Sequence, residues 1–288
     1  MAKTSDYLWI TLAYGVALMV AWLVAAELSA YELLWRTAAA DFASTIVIFA
    51  FACVFRNSSF YDAYWSVAPP VILLYSITSY QAFDLRTMLL FHLVLLWAIR
   101  LTHNWARGWY GLAHQDWRYV DLKAKTGIFY PLVDLFGAQL TPTVQVFVAC
   151  MPVLLALQSA PVALSLLDAL WIIIGYAALW IEWRADNVLR DHRTNPDNQG
   201  SVLRSDVWGW CRHPNYLGEL GFWLALTIFG FLGSANAYAW LGFALMVGLF
   251  LGISIPMIDK RQLANKPEYA SYKEQVPSLI PYPKISSD

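Results

Sequence analysis

The chain has 288 residues, of which 59% are hydrophobic and only 14% are charged. Soluble domains have roughly 45–50% apolar and about 25% charged residues, so this composition excludes an ordinary soluble protein and predicts a chain that lies mostly in lipid. Nineteen basic and twenty acidic residues leave a net charge of -1, which excludes the broad positive field expected of a nucleic-acid-binding protein.

Apolar segments long enough to cross a bilayer recur along the whole chain. A spanning helix needs about 20 mainly apolar residues, and eight such spans are predicted, near residues 7–26, 38–55, 63–80, 87–106, 139–158, 163–183, 214–233 and 236–257. An amphipathic stretch at 127–138 is predicted to lie at the membrane interface. We therefore expect an all-α polytopic helix bundle, formed by a single integral membrane domain over residues 1–288. Seven spans are the alternative if the first two segments are not both transmembrane.

The distribution of basic residues predicts the orientation of this bundle. With eight spans, 15 basic residues fall on the side of the two termini, and only Arg36 and Arg86 fall on the other side. Lysine and arginine concentrate in cytoplasmic loops. Both termini are thus predicted to be cytoplasmic, in a multi-pass protein of the bacterial inner membrane.

Polar side chains of the early spans form the first candidate site. Because polar groups inside a bilayer are costly, each is a functional candidate. Asp62 and Tyr64 lie at the start of the third span. On the fourth span Trp97 and Arg100 are three residues apart and share a helix face, with His103 beside them. These five residues are the candidate catalytic group.

The three cysteines of the chain, Cys53, Cys150 and Cys211, predict neither a disulfide framework nor a zinc site. Their number is odd and no CxxC spacing occurs. We expect them to be apolar packing residues, and no metal ligands are predicted.

A polar helical stripe follows the sixth span. Asp186, Arg190 and Arg193 have i, i+4, i+7 spacing and share one face. Guanidinium groups bind phosphate oxygens bidentately and a carboxylate can accept from ribose hydroxyls, so the stripe predicts a nucleotide contact. The alternative is that the arginines contact anionic lipid.

The seventh span begins with a compact polar corner. Proline suits the first turn of a helix, and Pro214 is flanked by Arg212, His213, Asn215 and Tyr216. Unpaired backbone N–H groups at a helix start bind anions. This corner is therefore predicted to bind an anionic, ring-containing ligand on the cytoplasmic side.

The segment Arg-His-Pro-Asn-Tyr-Leu-Gly-Glu at 212–219 resembles the signature of the membrane sterol reductases and of the steroid 5α-reductase family. The resemblance extends upstream over 185–196 and downstream through 259–261 and 268–272, so the signature region is 182–282. Residues 57–65 and 96–101 also resemble the bacterial branch of that family.

The resemblance implies an NADPH-dependent reductase that transfers hydride to the β-carbon of an α,β-unsaturated carbonyl. It implies a lipid or steroid-like substrate that enters from the bilayer, with no obligate protein partner, and a dinucleotide bound without a Rossmann GxGxxG loop. The implied cofactor-binding residues are Asp186, Arg190, Arg193, Arg204, Arg212, His213, Asn215, Tyr216 and Asp259.

The chain departs from this family where the substrate carbonyl would be polarised. The steroid enzymes use a glutamate on an early helix and a tyrosine on the next one. Asp62 aligns near the acid, but Trp97 stands in place of the tyrosine and cannot act as a proton source. Tyr61, Tyr64 or His103 could supply the proton, and Asp62 could alternatively cap the third helix.

Two other functions stay open at this point. An integral-membrane methyltransferase of the isoprenylcysteine carboxyl methyltransferase type shares an Arg-His-Pro-x-Tyr corner and uses S-adenosylmethionine. A non-catalytic sterol- or lipid-binding membrane protein would retain the fold alone. Phosphate-binding arginines distinguish the reductase, because S-adenosylmethionine carries no phosphate.

Overall fold

The computed structural model describes residues 2–281, and every regular element within that range is helical. The α-helices are α1 (Thr4–Glu27), α2 (Leu33–Phe55), α3 (Tyr64–Tyr80), α4 (Leu85–Gly108), α5 (Trp117–Thr126), α6 (Tyr130–Val133), α7 (Thr141–Gln158), α8 (Asp168–Thr194), α9 (Pro214–Ser234), α10 (Ala239–Leu249), α11 (Ile255–Asn265) and α12 (Tyr269–Gln275). The predicted all-α membrane bundle is confirmed.

Six helical stretches of the described chain are long and apolar enough to cross a membrane. They are α1, α2, α4, Trp117–Gln158, α9 and Ala239–Asn265. The other two predicted spans correspond to α3, which has 17 residues, and to α8, which has 27 residues and carries charged side chains along its last turns. The count of eight spans and the cytoplasmic location of the termini stay predictions.

The segment predicted to be interfacial at 127–138 and the span predicted at 139–158 belong to one helical stretch, and the interfacial location of the first stays a prediction. A 3₁₀ turn (Gly127–Phe129) and a π-helical segment (Asp134–Leu140) join α5, α6 and α7 into one helical stretch. Pro131 and Pro142 lie in the first turns of α6 and α7, where the missing N–H costs little, whereas Pro152 lies inside α7.

Ion pairs show how the long helices are oriented. Arg86 at the start of α4 pairs with Asp168 at the start of α8, and Arg100 near the end of α4 pairs with Asp186 near the end of α8. The two helices therefore run parallel. The Tyr7 hydroxyl of α1 donates to the carbonyl of Ala106 near the end of α4, 2.9 Å away. The start of α1, the ends of α4 and α8 and the start of α9 thus lie at one end of the bundle.

The α8 and α9 helices pack closely because Gly218 has no side chain. A Cβ at this position would lie 2.3 Å from Cγ of Glu182 and 2.8 Å from the carbonyl oxygen of Ala178. Both distances are far below a van der Waals contact, so a larger residue would push the helices apart. Close packing here brings two buried carboxyl groups, one from each helix, next to each other.

Candidate functional site

A buried ionic cluster lies where α4, α8 and α9 meet. The Arg100 guanidinium is 2.6 Å from Asp186, 2.8 Å from Glu182 and 3.7 Å from Glu219. Glu182 is fully buried, and Asp186 and Glu219 are nearly so. Three carboxyl groups therefore depend on one cation in a region shielded from water.

Tryptophans complete this cluster on the α9 side. The indole N–H groups of Trp97 and Trp223 donate to the two carboxyl oxygens of Glu219, at 3.2 and 2.9 Å. The Trp97 ring also stacks on Phe222, with the ring centroids 4.5 Å apart. Trp97 and Arg100 share a helix face as predicted, but they face Glu219 and not Asp62.

A cavity of about 170 Å³ lies beside the cluster, at the start of α9. Its walls come from the end of α8, the following loop, the first turn of α9, α11 and α12, and they include Leu189, Arg193, Leu203, Trp208, Arg212, His213, Asn215, Tyr216, Gln262, Lys266, Tyr269 and Tyr272. Asn215 and Tyr216 precede Glu219 by four and three residues, or about one helical turn. The cavity and the ionic cluster are therefore neighbouring parts of one polar region.

The predicted cofactor residues around this cavity have two different roles. Asp259 accepts hydrogen bonds from Arg212 at 3.1 Å, His213 at 3.0 Å and Tyr269 at 2.5 Å. Arg212 also donates to the backbone carbonyls of Lys273 and Val276. These contacts fix the walls of the cavity, because they tie the start of α9 to α11 and to the segment after α12.

Three other lining side chains keep their polar groups free. Within residues 2–281, the guanidinium of Arg193, the amide of Asn215 and the hydroxyl of Tyr216 form no hydrogen bond or ion pair. The backbone N–H groups of the first turn of α9 lie beside them, since the first intrahelical bond runs from Leu217 N–H to the His213 carbonyl. These are the groups available to bind a ligand.

Positive charge surrounds the same cavity. Lys266 donates to the carbonyl of Ser201 at 2.7 Å, and burial followed by the nearby charge of Arg193 lowers the pKa of Lys266. The Arg261 guanidinium lies 3.8 Å above the ring of Trp117 on α5. An anionic group would relieve the repulsion among these cations.

Two arginines of the predicted set do not line the cavity. Arg190 donates to the backbone carbonyl of Arg107 at 3.3 Å. Arg204 donates to the carbonyl of Glu268 and to the side chains of Ser271 and Gln275. The predicted stripe is therefore divided: Asp186 faces Arg100 and Arg193 faces the cavity.

Asp62 is paired with a tyrosine that sequence reasoning missed. The Tyr119 hydroxyl of α5 donates to the Asp62 carboxyl at 2.8 Å, and Arg118 lies 3.6 Å from it. Burial raises the pKa of Asp62 to about 6, against the opposing effects of Arg118 and Tyr119. The capping hypothesis is wrong, because no side chain caps α3, whose N-cap residue is Ala63. The amphipathic sequence of α5, with Tyr119 on its buried face, was the signal that could have predicted this contact.

The other predicted catalytic residues lie apart from Asp62. The Tyr64 hydroxyl is 3.2 Å from a carboxyl oxygen of Asp41 on α2, and the Tyr61 hydroxyl is 2.8 Å from that of Thr143 on α7. His103 is exposed on the outer face of α4. The five-residue catalytic group is therefore not assembled at one place.

The cysteines are free thiols, as expected from their spacing. Cys150 and Cys211 are buried, and burial raises the pKa of Cys211 to about 11, so this thiol stays protonated. Cys53 is exposed on α2, so the prediction that it is a packing residue is wrong.

Comparison with known proteins identifies a family of unknown function. The family described as protein of unknown function DUF1295 matches residues 48–276, which include the ionic cluster, the cavity and Asp62. An uncharacterized protein of Schizosaccharomyces pombe is 26% identical over 255 residues, with 78% of this chain and 73% of the yeast protein covered. No solved structure matches the chain.

Proposed function

The chain belongs to the DUF1295 family of proteins of unknown function, and we propose that it is an NADPH-dependent membrane reductase. The proposed reaction transfers hydride to the carbon–carbon double bond of an α,β-unsaturated carbonyl lipid, and a 3-oxo-4-ene steroid is one such substrate. The resemblance of residues 212–219 to the steroid 5α-reductases supports this reaction class. The lipid-facing helices support a substrate that enters from the bilayer.

The observation that carries the proposal is the free polar lining of the cavity at the start of α9. In the part of the chain that the structure describes, Arg193, Asn215 and Tyr216 have unpaired polar groups there, next to Lys266 and open backbone N–H groups. Guanidinium groups and helix starts both favour phosphate oxygens. These residues would therefore hold the phosphate groups of such a cofactor.

NADPH, when bound, supplies the hydride. The residues of the chain must then hold the substrate carbonyl and donate a hydrogen bond to its oxygen, where negative charge develops. Asp62 and Tyr119, which are hydrogen-bonded at the same end of the bundle, can provide such a donor. When Asp62 is protonated it can donate to the Tyr119 oxygen, and the Tyr119 hydrogen is then free for the substrate oxygen. Their neighbour Arg118 lies close enough for its charge to act on Tyr216 in the cavity wall. Tyr119 on α5 thus takes the role of the hydrogen-bond donor that the steroid enzymes assign to a tyrosine. The fourth span has Trp97 in place of that tyrosine.

The same lining argues against a methyltransferase that uses S-adenosylmethionine. That cofactor has no phosphate group and a single carboxylate, so it would offer one anionic group to the two neighbouring cations Arg193 and Lys266. A dinucleotide would pair these cations. The charge of the cavity therefore favours NADPH over S-adenosylmethionine.

Binding of NADPH to the purified protein in lipid nanodiscs tests the proposal. Arg193→Ala should weaken NADPH binding by about 1.5–3 kcal/mol, the contribution of a hydrogen bond to a charged group, or about 10- to 150-fold in Kd. Arg184→Ala is the matched control on the same helix, because Arg184 pairs with Asp206 and does not line the cavity. Equal NADPH affinity in the Arg193 variant, or tight binding of S-adenosylmethionine alone, would refute the cofactor assignment.

Turnover then separates a reductase from a lipid-binding protein of the same fold. Wild-type protein with NADPH should reduce an enone lipid, which is measured by loss of nicotinamide absorbance and by a product two mass units heavier. Tyr119→Phe should keep NADPH affinity and slow single-turnover reduction by about 100-fold, as general-acid effects do. Tyr130→Phe is the control, because Tyr130 contacts Ser58 and not Asp62. NADPH binding without any reduction of enone lipids would contradict the reaction.

A further inference from the structure

A carboxyl group without a cationic partner lies inside the α2 span. Asp41 is 6% exposed, and among the residues that the structure describes its side chain forms a hydrogen bond only with the Tyr64 hydroxyl. Asp168, which is also buried, has a cationic partner, because Arg86 lies 2.7 Å from it. An unpaired carboxylate within a bilayer is costly, so Asp41 requires either a proton or a bound cation.

The hydrogen bonds around Asp41 form a closed ring. Oδ1 of Asp41 is 3.2 Å from the Tyr64 hydroxyl, which is 2.5 Å from Oγ of Ser44, and Ser44 donates to the backbone carbonyl of Asp41 at 2.9 Å. The ring has three contacts, each of which needs one hydrogen.

Counting the hydrogens in this ring shows that one is missing from the hydroxyls. Each hydroxyl has a single hydrogen. A carbonyl only accepts, so the Ser44 hydrogen lies on that contact. The Tyr64 hydrogen can then serve only one of its two contacts, with Asp41 or with Ser44. All three contacts have a hydrogen only if the carboxyl group of Asp41 donates to Tyr64 and Tyr64 donates to Ser44. An ionised Asp41 would leave one contact in the ring without a hydrogen.

The spacing of the same oxygens argues against a bound cation. The hydroxyl oxygens of Tyr64 and Ser44 are at hydrogen-bonding distance. Oxygens that surround an ion in a cage are held apart by it. A proton on the carboxyl group therefore fits the spacing of these oxygens.

We propose that Asp41 is an intramembrane proton-binding site, in which the proton on its carboxyl group closes the ring with Tyr64 and Ser44. The elements packed around it carry no basic side chain that faces it within residues 2–281. The other titratable groups nearby are Tyr14 on α1, Tyr61 before α3 and Cys150 on α7. Asp134 in the π-helical segment faces Ser58 instead.

This site is separate from the cofactor cavity and does not depend on the proposed reductase. The contact between Asp41 and Tyr64 anchors the segment 57–63 on its membrane side, because Tyr64 follows this segment directly. On the other side the same segment is tied to the 112–119 region through Asn57 and Asp62. Proton occupancy of Asp41 therefore positions the segment that carries Asp62.

Infrared spectroscopy of the purified protein near neutral pH tests the proposal directly. The wild type should show a carbonyl stretching band of a protonated carboxyl group that Asp41→Asn lacks, because the amide cannot ionise or protonate. Asp168→Asn is the matched control and should not remove such a band, since Asp168 is ionised against Arg86. If Asp41→Asn removes only carboxylate bands, Asp41 is ionised and the proposal is wrong.

A second variant keeps the test decisive if Asp41→Asn does not fold. Tyr64→Phe removes the ring partner of the Asp41 proton, so one protonated-carboxyl band should shift to higher frequency. An unchanged set of bands in this variant would overturn the proposal. Replacement of the band by carboxylate absorption on addition of Na⁺ would also overturn it, because it would identify a cation site.

Discussion

Loss of the Arg100 charge should destabilise the protein more than loss of any exposed basic residue. Arg100→Met keeps the aliphatic stem but removes the one cation that, among the described residues, lies within 4 Å of Asp186, Glu182 and Glu219. Breaking a buried ion pair by removal of one partner costs about 3–5 kcal/mol. Three carboxyl groups depend on this guanidinium, so we expect a loss of at least about 3 kcal/mol, lessened if some of them take up protons.

Thermal and denaturant unfolding in detergent measures this loss, and a second substitution tests its cause. Glu182→Gln removes one of the carboxylates, so it should recover about 1 kcal/mol or more in the Arg100→Met background, as expected for coupled neighbours. Arg184→Met is the control, because its ion pair with Asp206 is exposed to solvent and should matter little. An Arg100 variant as stable as the Arg184 variant would refute the electrostatic account of the cluster.

Three further predictions concern packing, titration and topology. Gly218→Ala should lower the free energy of unfolding by about 1–3 kcal/mol, because its Cβ would lie 2.3 Å from a side chain of α8. Gly248→Ala is the control and should be tolerated, because its Cβ meets open space. Equal stability of the two variants would contradict the close packing of α8 and α9. The raised pKa of Asp62, about 6 against 3.8 for an unperturbed carboxyl, means that the folded state holds this proton more tightly than the unfolded state. The wild type should therefore lose up to about 3 kcal/mol relative to Asp62→Asn as the pH rises from about 4 to about 7, and a gain over that range would show the opposite shift. Cysteines introduced by Val120→Cys and Gln199→Cys should react with an impermeant reagent only from the cytoplasmic side, and labelling from the other side would reverse the predicted orientation.

Local features of the sequence were sufficient to predict the fold class and the position of the cavity wall. Apolar segments of spanning length predict membrane helices because the bilayer leaves no other partner for backbone N–H and carbonyl groups. Pro214 marks the start of α9, since proline is tolerated in the first turn of a helix and not in its interior. Asn215 and Tyr216 were predicted on this basis and Arg193 from the helical spacing of the preceding stripe, and the structure places all three in the wall of one cavity.

The pairing of distant side chains was decided only by the tertiary structure. Asp62 and Tyr119 are 57 residues apart in sequence, and Arg100 and Asp186 are 86 apart. Helical periodicity shows which residues share a face, but it does not show which faces of different helices meet. The pairing depends on how closely the helices pack and on how each is rotated about its axis. For α8 and α9, Gly218 allows the close approach. Trp97 therefore shares the predicted face with Arg100 but contacts Glu219 in place of Asp62, because an indole N–H needs an acceptor when buried and the packing of α9 supplies it.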